Sequence, residues 1–318
     1  MTGHVDDPHR ILNALRELGW TIQEEGNRAT ATSPTGHEIE VSDDGTVRIT
    51  GPRPDTAART LLKLAKKLDI HVHLDDLTTP HTEPQVYGPV PSRRLGRSLG
   101  IDVCAGKCTQ DCRYCSVGVP RKVPIHDTHT TDPEPILQQL RRTLRTCDPD
   151  AITFAGVGEP TLCENLSEIA EETAREARRT DAELVLLTNT THPSRHQHAF
   201  DEIIASLDAV DPHLHRTINR PHPTLTTQHI LRELEKMDTD NLTVEVLLCR
   251  LPDGTTNAEP QHLRHLAETL ASIGVRRVQL NTVARPPAHG DARPVTEEEL
   301  LKAKKTLEKA VDHVEVYR

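Results

Sequence analysis

The sequence predicts an α/β fold, a partial (β/α)6 barrel preceded by a small α+β domain. After residue 87 the pattern alternates six apolar strand candidates with amphipathic helices. Before residue 75 it consists of short alternating strands between Gly, Pro and Asp turns. Continuous apolar strands joined by helices require a parallel sheet covered by helices, and right-handed crossovers let that sheet curl into a partial barrel. We therefore divide the chain into an accessory domain (1–75), a linker (76–86) and the partial barrel (87–318).

The accessory domain begins with a predicted helix over residues 8–18, in which four aliphatic side chains share one face. Its strand candidates are WTIQ, RATATS, HEIEVS and TVRIT. A second helix is predicted over 54–68, followed by IHVHL as a last strand. The polar segment DDLTTPHTEPQ, which contains two prolines, is typical of a linker.

The barrel units follow in strict alternation. Strands are predicted at 98–103, 151–156, 183–188, 205–210, 242–248 and 276–282. Helices are predicted at about 133–146, 164–179, 193–204, 224–237, 258–273 and 296–310. In such a fold the chemistry lies at the carboxyl ends of the strands, and each motif described below follows a predicted strand.

Composition excludes several classes of protein. A formal net charge of −10 over 318 residues argues against a surface that binds nucleic acid throughout. Aromatic residues make up only 2% of the chain, which leaves few platforms for stacking unpaired bases. No stretch approaches the roughly 18 apolar residues of a membrane span. Seven cysteines, three of them clustered, suit a reducing compartment, so we expect a cytoplasmic protein without a membrane partner.

Three cysteines, Cys108, Cys112 and Cys115, stand in the order Cys-x3-Cys-x2-Cys. A loop this short can wrap three thiolates around one iron–sulfur cube, which leaves one iron free to bind a substrate or cofactor. A structural zinc site needs a fourth ligand, and Cys104 stands nearby in the sequence. The spacing therefore predicts an open cluster, with a closed zinc or iron–sulfur site as the alternative.

With Tyr114 before the third cysteine, the motif resembles that of the radical S-adenosylmethionine (SAM) enzymes. The resemblance runs from Tyr87 to the C-terminus through YGPVPSRRLGRSLGID, FAGVGEPTL, LLTNTT, LDAVDPHLHRTINRPHP and VQLNTVARPP. These segments are similar to a branch grouped loosely with the tRNA wyosine-base synthases. The resemblance implies a radical SAM partial barrel with its cluster loop at 104–122. It also implies that the three cysteines hold a [4Fe–4S] cluster whose fourth iron chelates SAM.

Further cofactor-binding residues follow from the same resemblance. Gly156, Gly158, Glu159 and Pro160 match the family's Gly-Glu-Pro motif, whose backbone and carboxylate receive the SAM ammonium. Glycines permit close approach of the backbone to a ligand, and proline stiffens the turn. The alternative is an ordinary glycine-rich turn before a helix.

Tyr114, Asn189 and Asp208 complete the implied cofactor site. Tyr114 takes the family's position beside the adenine of SAM. Asn189 and Asp208, at the third and fourth strands, reach the ribose and carboxylate region of SAM or the substrate, although a turn or helix-cap role is the alternative. The family's glycine-rich motif on the fifth strand is not recognisable in VEVLLCRLPDG.

Substrate-side candidates lie after two other strands and offer polar groups that orient anionic or hydrogen-bonding ligands. They are Asn219, Arg220, Gln279, Asn281 and Arg285. The histidines lack partners at known ligand spacing and are predicted not to bind metal.

Seven basic residues and two acidic ones lie between positions 88 and 124. This local excess could dock an acidic electron donor such as flavodoxin or ferredoxin, or steer a phosphate-bearing substrate.

The sequence thus predicts a radical SAM enzyme that abstracts hydrogen from an unidentified substrate, with RNA as one macromolecular class. Modification of a protein or peptide, including glycyl-radical activation, is an alternative within the same chemistry. A non-catalytic iron–sulfur or zinc protein used for scaffolding or sensing is the alternative outside it.

Overall fold

The computed structural model describes residues 2–33, 38–50, 60, 61, 64, 68, 72–74, 85–118, 121–288 and 291–317, with only the backbone at 2–4 and 72–74. The chain separates into two compact units, Met1–Glu83 and Pro84–Arg318. Within the described ranges, no helix has the length and apolar character that a membrane crossing requires.

The first unit is an antiparallel sheet with one helix. Its elements are β1 (Thr2–Val5), α1 (Pro8–Glu17), β2 (Thr21–Glu25), β3 (Arg28–Thr32), β4 (Glu38–Ser42), β5 (Thr46–Thr50) and β6 (Val72–Leu74). The strand order is β2-β3-β4-β5-β1-β6. Alternate side chains of β3, β4 and β5 are buried in one core with Ile11 and Leu15 of α1.

Two predictions for this unit fall mainly outside the described residues. Of the helix predicted at 54–68, the structure describes four residues, Thr60, Leu61, Leu64 and Leu68, and all four are helical. Most of the predicted linker, 76–86, also lies outside the described ranges. Strand β1 was not predicted, because its sequence TGHV carries no alternation long enough to recognise.

The second unit is a parallel sheet with its helices. Its elements are β7 (Val86–Ser92), β8 (Gly96–Ile101), β9 (Lys107–Cys108), β10 (Arg121–Lys122), α2 (Pro133–Thr143), β11 (Ala151–Phe154), α3 (Leu166–Glu176), β12 (Glu183–Thr188), β13 (Glu202–Ser206), α4 (Pro212–Asn219), α5 (Thr227–Glu235), β14 (Leu242–Arg250), α6 (Pro260–Ser272), β15 (Arg277–Thr282), β16 (Arg293–Pro294), α7 (Glu297–Leu307) and β17 (His313–Val316). Single turns of 3-10 helix lie at Pro160–Leu162, Pro193–Arg195 and Gln197–Ala199.

Seven neighbouring strands run parallel in the order β8-β11-β12-β13-β14-β15-β17, and β7 pairs antiparallel with β8. The predicted partial-barrel architecture is confirmed, with β7 and β17 as its two edge strands. Strand centres such as Ile152, Phe154 and Ile203 are fully buried, as expected for strands covered on both faces. All carboxyl ends of the parallel strands therefore lie at one edge, where the predicted site residues are found.

The segment before the fourth barrel strand differs from its prediction. The helix predicted at 193–204 is wrong, and the strand predicted at 205–210 lies earlier, at Glu202–Ser206. The first turn of 3-10 helix ends at His196, whose φ is −116°, and the second ends at Phe200, whose backbone is extended. No α-helix therefore forms over this segment. The apolar run after Phe200 fits several strand positions, and pairing with β12 and β14 selects one.

Candidate active site

The cluster loop, residues 104–122, follows β8. Its beginning and its end lie side by side, because β9 and β10 pair in parallel. Cys108 is buried, and Cys112 and Cys115 are partly exposed. Burial, together with the neighbouring charges of Glu159 and Cys115, raises the pKa of the Cys108 thiol to about 12. Burial likewise raises the pKa of Cys112, with further contributions from Asp208, Cys108 and Cys115. The three thiols thus lie close enough together to influence one another electrostatically.

Amide groups from outside the three-cysteine set point at these sulfurs. Asn189 Nδ2 donates to Cys108 Sγ at 3.3 Å, and Asn219 Nδ2 donates to Cys112 Sγ at 3.5 Å. The backbone N–H of Gln110 donates to Cys108 Sγ at 3.5 Å. Thiolates bound to iron accept such bonds, which tune the potential of a cluster. Three thiols with N–H donors around them fit a three-ligand [4Fe–4S] site.

Gly156 and Gly158 allow two close approaches within the chain itself. A Cβ on Gly156 would lie 2.0 Å from Cγ of Asp102, whose carboxylate accepts from the N–H of Val157 at 2.8 Å. A Cβ on Gly158 would lie 2.1 Å from the carbonyl oxygen of Lys107. The glycines therefore seat the Gly-Glu-Pro loop against the end of β8 and the cluster loop. Asp102 was not among the predicted site residues.

Gly158→Ala is expected to destabilise the fold by about 2 kcal/mol or more, because φ is +145° and the new Cβ would collide with backbone. The matched control is Gly254→Ala, where φ is +90° and no heavy atom lies within 4 Å of the new Cβ. Urea unfolding of both variants measures the difference. Equal losses of unfolding free energy in the two variants would show that the collision with the Lys107 carbonyl adds nothing to the cost of the substitution.

Glu159 is 1% exposed, and its carboxylate is surrounded by donors. Oε1 accepts from the N–H of Thr161 at 3.0 Å and from the hydroxyls of Thr161 and Thr188 at 2.6 Å each. Oε2 accepts from the N–H of Asn189 at 2.7 Å. Burial raises the pKa of Glu159, while these hydrogen bonds oppose that rise. Glu159 thus joins the loop after β11 to the end of β12, and Pro160 begins the 3-10 turn beside it.

Tyr114, Asp208 and Asn219 form one buried network next to Cys112. The Tyr114 hydroxyl donates to Asp208 Oδ2, which also accepts from Asn219 Nδ2 at 2.6 Å. Asp208 Oδ1 accepts from the N–H of Leu247 at 2.8 Å. Burial raises the pKa of Asp208 to about 6, although these bonds favour its ionised form. Asn219, predicted on the substrate side, thus lies with two residues predicted to bind the cofactor.

A second polar network joins the loop between β7 and β8 to strands β14 and β15. Arg94 Nη1 lies 2.7 Å from Glu245 Oε1 and 3.2 Å from Gln279 Oε1. Asn281 Nδ2 donates to the same Glu245 oxygen at 2.5 Å. The substrate candidates Gln279 and Asn281 are therefore brought together, through two charged residues that sequence reasoning did not select.

The remaining substrate candidates lie elsewhere. Arg220 donates from Nε to the carbonyl of Asp111 at 2.7 Å and pairs with its carboxylate at 3.0 Å, so it braces the cluster loop. Arg285 is exposed. Cys104 is fully buried at the end of β8, and burial followed by the Asp102 charge raises its thiol pKa.

Acidic partners neutralise most of the basic segment between 88 and 124. Five of its seven cations form ion pairs with carboxylates, namely Arg94, Arg97, Lys107, Arg113 and Arg121. Arg93 and Lys122 are exposed.

Comparison with known proteins places this geometry in a family. The sequence model of the radical SAM superfamily matches residues 103–267, more than half of the chain. A UPF0026 protein of Synechocystis is 34% identical over 64% of this chain and 77% of its own length. A UPF0026 protein of Methanocaldococcus jannaschii is 32% identical over 65% of this chain, and the match spans 66% of that relative's length. A protein named GTPase Obg from Brachyspira hyodysenteriae is 30% identical over 70% of this chain, and only 33% of its own length is matched.

Two solved structures resemble the fold at low identity. TYW1 with a lysine–pyruvate adduct is 15% identical with a TM-score of 0.48, covering 96% of this chain and 90% of that one. A radical SAM methyltransferase from Sphaerobacter thermophilus is also 15% identical with a TM-score of 0.48, covering 94% and 77%. Because the family match spans the cluster loop and the four strand ends around it, the chain belongs to the radical SAM superfamily, whose enzymes use a [4Fe–4S] cluster and SAM.

Proposed function

We propose that this enzyme cleaves SAM reductively and abstracts a hydrogen atom from a polar substrate inside the partial barrel. One observation carries the proposal: Cys108 and Cys112, which share a short loop with Cys115, each accept from the side-chain amide of an asparagine that follows another strand of the parallel sheet. Cys108, Cys112 and Cys115 would hold the cluster. When bound, the cluster supplies one electron, and SAM supplies the 5′-deoxyadenosyl radical that takes hydrogen from the substrate.

The chain's own residues fix the positions of these groups. Glu159 holds the end of β12, so that Asn189 stays in contact with Cys108. Asp208 and Asn219 fix the hydroxyl of Tyr114, which orients its ring for the proposed position beside the adenine. Such preorganisation lets SAM bind without first ordering the site.

The substrate's reacting part is proposed to be polar. Glu245, Gln279 and Asn281 lie on β14 and β15, and Arg94 reaches them from the turn before β8, so that the four side chains form one connected network of donors and acceptors. These side chains pair with one another and can exchange those hydrogen bonds for bonds to a polar ligand, whereas an apolar ligand would gain nothing from them. A nucleotide of an RNA molecule satisfies this requirement and is the substrate class that we propose first.

Modification of a protein or peptide, including glycyl-radical activation, is the second candidate. The charge of the chain favours it, because the net charge is −10 and five of the seven cations between positions 88 and 124 are paired with acids. A polyanion would be repelled by such a surface more than a neutral or basic peptide.

Anaerobic reconstitution with dithionite and SAM tests the proposal. We expect 5′-deoxyadenosine from the reconstituted enzyme, and deuterium in that product when the true substrate is deuterated. Bulk tRNA and bulk cellular protein, each isotopically labelled, are the two substrate arms. Absence of 5′-deoxyadenosine from a protein with a complete cluster would refute the reaction. If deuterium enters 5′-deoxyadenosine only from the labelled protein, a protein or peptide replaces RNA as the proposed substrate.

The electron donor is proposed to be a small acidic protein such as flavodoxin or ferredoxin. Lys122 is an exposed cation at the end of the cluster loop and is suited to such a contact. SAM cleavage driven by reduced flavodoxin should then slow as ionic strength rises, while the rate with dithionite changes less.

A truncated protein beginning at Pro84 is expected to fold, assemble its cluster and cleave SAM without substrate. The reason is that every residue of the proposed site lies in the compact unit Pro84–Arg318. If the first unit recognises a macromolecule, the truncation should lose turnover of the true substrate only. A truncated protein that aggregates or cannot hold its cluster would instead indicate that the first unit is a structural cap.

A further inference from the structure

A second group of metal-binding side chains lies apart from the cysteines. One nitrogen from each of His192 and His229 and one carboxylate oxygen of Glu233 lie within 4.8 Å of one another. His192 follows β12, whereas His229 and Glu233 stand four residues apart on α5, which puts them on one face of the helix. His192 is 5% exposed and Glu233 is 4% exposed. Sequence reasoning missed this group, although the spacing of His229 and Glu233 on a predicted helix was a readable signal.

Hydrogen bonds fix the tautomer of both rings. Nε2 of His192 lies 2.9 Å from the carbonyl oxygen of Ile125, and Nε2 of His229 lies 2.7 Å from the carbonyl oxygen of Thr191. A carbonyl only accepts, so each Nε2 donates a hydrogen and each Nδ1 keeps its lone pair. Histidines that bind metals are held in this way, with one nitrogen on a carbonyl and the other on the ion.

The carboxylate of Glu233 completes the donor set. Oε2 accepts from the Ser194 hydroxyl at 2.7 Å, and Oε1 pairs with Lys236 Nζ at 2.7 Å. The Lys236 side chain is 60% exposed, so it can move into solvent when another cation takes its place. Two neutral imidazoles and one carboxylate suit zinc and similar divalent transition metals, which accept nitrogen and oxygen ligands in this ratio.

We propose that His192, His229 and Glu233 bind one divalent transition-metal ion of the zinc class, with a coordination position left for water. The ion would join the loop after β12 to helix α5. Asn189, which contacts Cys108, lies in the same loop. The metal would therefore brace the segment that supplies an amide to the cluster thiols, whatever substrate the enzyme uses.

Zinc retention by the full-length, cluster-reconstituted protein tests this inference. After incubation with zinc chloride and passage over a chelating resin, zinc and iron are measured by mass spectrometry. The wild type should retain about one zinc per chain. His229→Gln and Glu233→Gln should lose most of it with iron unchanged, and the exposed His265→Gln should behave as wild type. Wild type without zinc, or equal zinc in wild type and His229→Gln, would overturn the site.

A variant that binds zinc more tightly provides a second test, because loss of zinc in the first test could also follow from damage to the fold. Lys236→Ala removes the cation that competes for Glu233 and should tighten zinc binding by about two- to fivefold. The matched control is Lys302→Ala. Lys302 is an exposed lysine that pairs with Glu298, and both residues lie on α7, away from the proposed zinc site. A chromophoric chelator in competition measures both affinities. Equal affinities in the two variants would contradict the proposed role of Glu233.

Discussion

Replacing Cys108, Cys112 or Cys115 by Ala is expected to abolish SAM cleavage completely. A cluster with one open iron has three protein ligands, so loss of any one thiolate leaves it without a stable site. Each single variant, purified anaerobically, should lose most of its iron, its visible absorption and its production of 5′-deoxyadenosine. We expect the three losses to be equal, because the cluster needs all three thiolates.

Cys104→Ala is the matched control for this experiment. Cys104 is buried like Cys108 and close to it in sequence, and burial also raises the pKa of its thiol. Removing its sulfur should leave a small cavity that costs roughly 1 kcal/mol of stability, while the iron content stays unchanged. If Cys104→Ala loses iron as fully as Cys112→Ala, the cluster has a fourth thiol ligand and the open-iron model is wrong.

The barrel strands could be predicted because their apolar runs are short, continuous and bounded by turns. Five of the six predicted strands overlap the observed ones closely, and the fourth does not. The segment 203–210 carries six apolar residues over a length greater than the observed strand, so the local pattern admits several strand positions. Pairing of Ile203 with Leu186 and Leu242 decides between them, and that information is not local. Helix α4 was not predicted, although Asp211 caps its start and Pro212 takes its first position, which is a readable signal.

The types of the site residues could be predicted more fully than their roles. Cys108 and Asn189 are in contact, although Asn189 was predicted to reach SAM or the substrate and that role stays a prediction. Asp102 and Glu245 were missed, because a carboxylate in or near a strand gives no local sign of what it will face. Gly158 was expected to approach a ligand, yet its nearest neighbour is the chain's own Lys107 carbonyl. Such contacts depend on how two loops pack, which spacing along one loop does not determine.

Glu159→Ala is expected to lower both SAM affinity and fold stability. The carboxylate accepts four hydrogen bonds in a site that is almost closed to water, and a carboxylate offers about four acceptor positions in total. Its role is therefore inferred to be positioning, and direct contact with the SAM ammonium stays a prediction. Removal leaves the N–H groups of Thr161 and Asn189 without their acceptor, at a cost of about 1–3 kcal/mol each. We expect SAM affinity to fall about ten- to a hundredfold, since the end of β12 loses its anchor.

Two measurements separate positioning from direct contact. Calorimetry gives SAM affinity, and thermal unfolding gives stability, for Glu159→Ala, Glu159→Gln and Thr188→Val. Thr188→Val leaves the carboxylate in place but removes one donor to Glu159 and the acceptor of the buried Thr190 N–H, so it should lower stability by about 1–3 kcal/mol and SAM affinity little. Glu159→Gln keeps one acceptor oxygen and places an amide N–H₂ against donors, so it should weaken both quantities together. A Gln variant with normal stability and weak SAM binding would instead indicate that the charge of Glu159 acts on SAM directly, because only the ionic contact would then have been lost.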